Sequence, residues 1–151
     1  MRGIALAARP QRGARRAGRI AKPKVFVTSD DADVLASLKF VLGAAGFEVR
    51  TFLTGPTLLA SRSKRDADCF ILPHKMRGMD GLELARRLRG AKITAPIVLM
   101  TGFPGVGLEA AANAAGVGRV SLTPHVDEEL IRSVTLAIGE RRGRSNLRAS
   151  P

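Results

Sequence analysis

The sequence predicts an α/β fold, a doubly wound five-stranded parallel sheet in (βα)5 order, and two observations carry this expectation. Past residue 24, five short runs rich in β-branched, aromatic and aliphatic residues alternate with five longer amphipathic segments. That alternation is the mark of βα units whose crossovers cover both faces of a parallel sheet. Two of the runs, Cys69-Phe70-Ile71-Leu72 and Ile97-Val98-Leu99-Met100, are apolar without a break. Strands that face water on one side alternate instead, so these two are expected to be central and buried on both faces.

The elements follow in order. Val25-Phe26-Val27 reads as the first strand. From Asp33 to Ala45 the apolar residues Val34, Leu38, Val41, Leu42 and Ala45 form a helical stripe, and Gly46 is placed to stop it. Phe47 to Phe52 is the second strand, and Thr54-Gly55-Pro56 opens a short helix with proline in its first turn. After the Cys69 run, Asp80 can cap a helix carrying Leu84, Ala85 and Leu88. The Ile97 run is followed by a Gly-rich loop, 102–107, and an Ala-rich helix from Leu108 to Ala115. Val120-Ser121-Leu122 is a weak fifth strand, and Asp127 caps a last helix striped with Leu130, Ile131, Val134, Ala137 and Ile138.

Length and charge divide the chain. Its 151 residues suit one domain of ordinary size. The net charge of +12 is concentrated at the ends. Residues 1–24 hold eight Lys or Arg and no acid, whereas residues 25–139 hold 13 basic and 12 acidic residues. We therefore expect a basic, disordered N-terminal tail over 1–23, a domain over 24–139 and a basic C-terminal tail over 140–151. Cys69 is the one cysteine, which excludes an internal disulfide and fits a reducing cytoplasm. Inside its apolar run it reads as a small buried hydrophobe. No apolar stretch approaches the roughly 18 residues of a membrane span.

In parallel sheets the functional crevice lies beyond the carboxyl ends of the strands. That places the informative residues at Thr28 to Asp31, Pro73 to Lys75, Thr101-Gly102 and Thr123-Pro124. These strand ends carry a resemblance over about residues 24–139. Ser37-Leu38-Lys39-Phe40 with Ala45-Gly46-Phe47-Glu48-Val49, then Gly78-Met79-Asp80-Gly81-Leu82-Glu83-Leu84, Met100-Thr101-Gly102 and Pro124 with Asp127-Glu128-Glu129-Leu130 occur in family order and spacing. On these segments the chain resembles the receiver domains of bacterial response regulators, the CheY-like fold, and most of all receivers that precede LuxR-like helix-turn-helix domains. The resemblance implies the strand order 2-1-3-4-5 and a place in two-component (phosphorelay) signal transduction.

It also implies where phosphorylation chemistry would sit, and there the chain departs from the family. The family's phosphoaccepting aspartate at the end of strand three falls on Pro73, which has neither carboxylate nor amide hydrogen. The acidic pair that helps to hold Mg²⁺ falls on Ser29 and Asp30, with Asp31 next in line. The hydroxyl that contacts the phosphoryl group after strand four is kept as Thr101, but the lysine before the proline after strand five is replaced by Thr123. The switch aromatic of strand five is Val120 here. The prolyl bond Thr123-Pro124 is expected to be cis by the same resemblance.

The expected function is accordingly that of a pseudo-receiver, without enzymatic activity, catalytic residues, metal site or cofactor, and with Mg²⁺ binding weak or absent. It would act by protein contact with a histidine kinase, another receiver or an output protein. The resemblance points to the face of helix four, strand five and helix five for that contact or for a homodimer, and the alanines 110, 111, 112, 114 and 115 would permit close approach there. Only about a dozen residues follow the last helical stripe, so no DNA-reading output domain is expected. The alternative is a nucleic-acid-associated protein that uses its Arg-rich tails on an inert scaffold; an incidental extension is the plainer reading of those tails. His74 and His125 stand apart, without Cys or clustered carboxylates, and read as loop residues rather than metal ligands. His74 as a substitute phosphoacceptor is the sharper alternative. Asp30 and Asp31 read as solvated carboxylates favoured by the first helix's dipole.

Overall fold

A computed structural model of the chain describes residues 21–103, 105–122 and 127–149. The expected Thr123, the Thr123-Pro124 bond and His125 lie outside these residues, as does most of the N-terminal tail. Five strands form one parallel sheet: β1 (Lys24–Thr28), β2 (Glu48–Phe52), β3 (Cys69–Pro73), β4 (Ile97–Thr101) and β5 (Arg119–Leu122). Their order is β2-β1-β3-β4-β5, as expected. The helices are α1 (Ala32–Ala44), α2 (Gly55–Ala60), α3 (Gly81–Gly90), α4 (Leu108–Ala114) and α5 (Asp127–Ala149), with a 3₁₀ turn at Arg62–Asp66.

The strand periodicity of two splits the core into two layers. Phe26, Phe70, Leu72, Ile97 and Leu99 face one side, where Leu58 of α2, Leu84, Ala85 and Leu88 of α3, and Leu108 and Ala112 of α4 cover them. Val25, Val27, Cys69, Ile71, Val98 and Met100 face the other, under Leu35, Leu38 and Leu42 of α1 and Leu130, Val134 and Ile138 of α5. Phe26 stacks on Phe52 at 5.5 Å and meets Phe70 edge-on at 5.8 Å, which ties β2, β1 and β3 together on the first face.

Local signals set the element ends. Asp31 is the N-cap of α1, its side chain accepting from the amides of Asp33 and Val34. Asp31 is exposed, and beyond its place at the helix N-terminus its Oδ1 caps the first turn. Gly46, at φ +101°, turns the chain from α1 into β2. Thr54 caps α2 through a bond from the Thr57 amide, and Asp80 caps α3 through one from Glu83. The Ala-rich stripe of α4 divides: Ala112 and Ala115 pack into the core, while Ala110, Ala111 and Ala114 are exposed.

The domain's expected end at 139 falls inside α5, which continues to Ala149. Arg, Glu, Leu and Ala are good helix formers, and no proline interrupts the run before 151. Glu140 also anchors this part to the sheet, since its Oε2 accepts from Arg119 Nη2 at 2.8 Å.

At Gly81 a helix comes close to the sheet. A Cβ built there would lie 2.2 Å from the Pro73 carbonyl oxygen and 2.7 Å from a Leu99 methyl. Gly81→Ala should gain up to about 1 kcal/mol of helix propensity. It would collide with a backbone atom that cannot swing away, at a cost of about 1–3 kcal/mol for an overpacked core. We predict net destabilisation, read as a lower urea midpoint with an unchanged slope; an unchanged midpoint would refute it.

Cys69 is buried and its thiol pKa is pushed from 9.0 up to about 12, first by burial and then by the charge of Asp68, with Arg119 opposing. A thiol that is neutral in the fold and ionises near 9.0 when unfolded contributes stability below that value, lost as pH rises towards about 12. Cys69 should resist an aqueous thiol reagent in the native protein and react on addition of denaturant. Rapid native labelling would contradict this burial.

Candidate functional site

The chain leaves β1 for β2 on one side of it and later enters β3 on the other. The sheet's switch point, where crevices form in open α/β folds, is therefore between the carboxyl ends of β1 and β3. Ser29-Asp30 follows β1 there and Pro73-His74 closes β3.

Pro73 is the last residue of β3, paired in register with Met100. The amides of Phe70 and His74 both donate towards β4, to Pro96 and Met100 carbonyls at 2.9 and 2.7 Å. Strand alternation then turns the nitrogen of residue 73 towards β1, and proline has no hydrogen to offer there. The β1–β3 ladder ends at Val27–Ile71, whereas the β1–β2 ladder runs on to Thr28–Phe52 and is extended by the Ser29 amide on the Phe52 carbonyl. Thr28 Oγ1, buried beside this gap, has no hydrogen-bond partner.

The polar groups around the gap are largely spoken for by one another. Ser29 is buried and its Oγ accepts from the Asp31 amide at 3.1 Å. Asp31 Oδ1 accepts from Asp33 and Val34, at 2.9 and 3.3 Å. Asp30 Oδ2 accepts from the Arg77 amide at 3.2 Å and lies 3.8 Å from Arg77 Nε. The Arg77 side chain is 90% exposed, so this ion pair contributes at most about 1 kcal/mol. It nevertheless draws the β3–α3 loop over the end of β1. The expected solvated Asp30 thus has a cationic neighbour that the sequence reading did not identify.

Thr101, buried at the end of β4, donates from Oγ1 to the Phe103 carbonyl at 3.1 Å and accepts from the Phe103 amide at 3.2 Å. His74 Nδ1 lies 3.3 Å from the same oxygen. One hydroxyl has one hydrogen and two lone pairs. With the hydrogen on the Phe103 carbonyl, His74 is the donor and the hydroxyl is fully used. The structure thus brings His74 and Thr101 together, which the sequence reading did not foresee; no spacing signal links residues 27 positions apart. Val120 is half-buried against the core on the α3–α4 face.

As a donor set for a cation the crevice is poor. Mg²⁺ requires near-octahedral oxygen coordination, normally with one or two carboxylates facing it. Here Pro73 offers no carboxylate, Asp31 is capping a helix and Asp30 faces an arginine. Among the described residues no cluster of three or more His, Cys, Asp or Glu could hold a metal ion. None of the described helices is long and apolar enough to cross a membrane.

Comparison with known proteins places this geometry. The model of the family described as "Response regulator receiver domain" matches residues 25–134. The transcriptional regulatory protein PrrA of Mycobacterium tuberculosis is 33% identical over 124 residues, which cover 82% of this chain and 53% of PrrA. The transcriptional regulatory protein FixJ of Bradyrhizobium diazoefficiens is 32% identical over 117 residues, covering 78% and 57%. The chain therefore spans little more than half the length of these relatives. Among solved structures, response regulator StyR is similar at a TM-score of 0.75 and 32% identity, over 85% of this chain and 65% of that one. The receiver domain of a putative Luxo repressor protein from Vibrio parahaemolyticus superimposes at a TM-score of 0.76, over 87% of this chain and 100% of that one, and at 18% identity it shares the fold alone. The five-stranded sheet in the order 2-1-3-4-5 and the match along most of the chain agree: this protein belongs to the response regulator receiver domain family of two-component systems.

Proposed function

We propose that this chain is a cytoplasmic pseudo-receiver, a module that acts through protein contacts, without catalysis and without accepting a phosphoryl group. One observation carries the reading: β3 ends at the switch point on Pro73, so no carboxylate stands where a phosphoryl group would be attached. The surrounding contacts support it. The Thr101 hydroxyl is committed to Phe103 and His74, and the acids after β1 are engaged by a helix N-terminus and by Arg77. Phosphoryl transfer relies on electrostatic stabilisation of the transferring group. A crevice without its nucleophile, with its acids occupied and with a weak claim on Mg²⁺ supplies neither the covalent acceptor nor the metal.

The partner is a histidine kinase, another receiver or an output protein. The contact face we favour is α4, β5 and α5, with homodimerisation through the same face as its simplest form. What supports it is exposure: Ala110, Ala111 and Ala114 on α4 and Leu122 at the end of β5 are uncovered. A ridge of alanines lets another helix come close, and the uncovered leucine adds apolar area. The nucleic-acid alternative rests on the Arg-rich tails at both ends, of which residues 1–20 lie outside the described structure.

Incubation with acetyl phosphate and Mg²⁺ should leave the intact mass unchanged. A stoichiometric phosphoryl adduct would overturn the reading, and one mapped to His74 would make that residue the acceptor. Pro73→Asp alone should recover little labelling, because Ser29 and Thr123 would remain. For the contact face, Ala111→Glu and Ala114→Glu should weaken self- or kinase-association at least about tenfold, or about 1.4 kcal/mol, in sedimentation or titration. Unchanged association constants would exclude this face.

A further inference from the structure

The opposite end of the sheet carries a second concentration of charge. A cleft of about 190 Å³ opens there, lined by Arg89 from the last turn of α3, Thr94 from the loop that follows, Arg119 from the start of β5, and Glu140 and Arg141 from α5. Three guanidinium groups thus share a lining that contains one carboxylate.

Each arginine is held differently. Arg89 belongs to the fold: its Nε and Nη2 donate to the Gly116 carbonyl and its Nη1 to those of Ile93 and Ala95, all at 2.7–3.1 Å. Those acceptors are neutral, so its charge is solvated by dipoles rather than cancelled. Its pKa is lowered by burial and by the nearby charge of Arg141. Arg119 gives Nη2 to Glu140, but its Nε is buried with no hydrogen-bond partner. Among the described residues Arg141 reaches only the Thr94 hydroxyl, at a long 3.4 Å. A buried donor without an acceptor and like charges gathered around one cleft are two separate costs. A single oxyanion in the cleft would relieve the second of these.

We propose that this cleft binds the phosphate group of a small molecule, with Arg119 and Arg141 as its ligands and Arg89 supplying fixed positive charge behind them. Arginine forks match phosphate oxygens in pairs, which suits this set. The size fits a head group. At about 30 Å³ per water, the cleft holds about six waters. Pockets that enclose a whole small molecule run to roughly 300–1,000 Å³, so the remainder of the ligand would lie outside. Glu140 competes with the anion for Arg119, and this gives the site a signature that general attraction to a basic protein lacks.

The test uses the full chain at constant ionic strength, with inorganic phosphate and a nucleoside monophosphate titrated separately against a chloride reference. Binding is read by calorimetry and by the shift in Tm. Saturable phosphate binding with a raised Tm is expected. Arg141→Gln should weaken it at least about tenfold, and Glu140→Gln, which frees Arg119, should tighten it. A nucleoside monophosphate that binds at least as well with the same response to both variants identifies a phosphate monoester as the ligand; one that binds more weakly identifies free phosphate. Absence of any phosphate effect beyond chloride overturns the proposal. So does binding that ignores both substitutions, which would place it on basic residues elsewhere in the chain.

Discussion

The two central strands, β3 and β4, have no polar side. Phe70, Ile71, Leu72, Ile97, Val98 and Leu99 are all fully buried, so apolar cover is needed above and below the sheet at once. A crossover that returns over one face can meet half of this demand, and only winding in both directions from β1 meets all of it. The order 2-1-3-4-5 is one such winding, and it brings a switch point beside β1. Truncating one of these side chains to alanine would leave a void at a cost of about 2–5 kcal/mol, because helices on both sides hold the walls apart. The crevice is thus a product of the winding, which the buried strands require in kind, and not of any residue inside it.

Thr28 Oγ1 apart, the polar groups described around the crevice are engaged by other groups of the protein. The sheet is zipped to its end between β1 and β2 and stops short between β1 and β3, where Pro73 turns a nitrogen without hydrogen towards the gap. Around that fork a serine hydroxyl, two aspartates, a threonine and a histidine each find a partner within the protein. A phosphorylatable receiver would have to keep such groups available for an incoming anion and cation. Here recruiting them would require breaking internal bonds first, and residue 73 is a proline, which underlies the pseudo-receiver reading proposed above.

Most of the fold was legible because it rests on patterns of period 2 and 3.6. The unbroken runs at Cys69 and Ile97 marked the central strands, and Thr54, Asp80 and Gly46 marked helix ends by their chemistry. Pro73 was legible as a strand end because proline is tolerated there and not further in. Contacts made by long or distant side chains were not legible. Arg77 over Asp30, His74 on Thr101 and Arg89 on three carbonyls each depend on loops meeting in space, and no local spacing encodes that. The length of α5 was not legible for a different reason: residues 140–149 read as basic by composition, and they continue the helix, with Glu140 tied to Arg119.

Arg89 has a further implication. One guanidinium joins the end of α3 to the loops that lead into β4 and β5, filling the role that a short stretch of backbone pairing would otherwise play. Lysine would carry the charge but has no planar fork to span three carbonyls, and a neutral residue would leave them without donors. The arginine therefore has a structural task that is complete without any ligand. Positive potential at that end of the molecule comes as a by-product of architecture, available to be recruited for recognition without any new charge having to evolve.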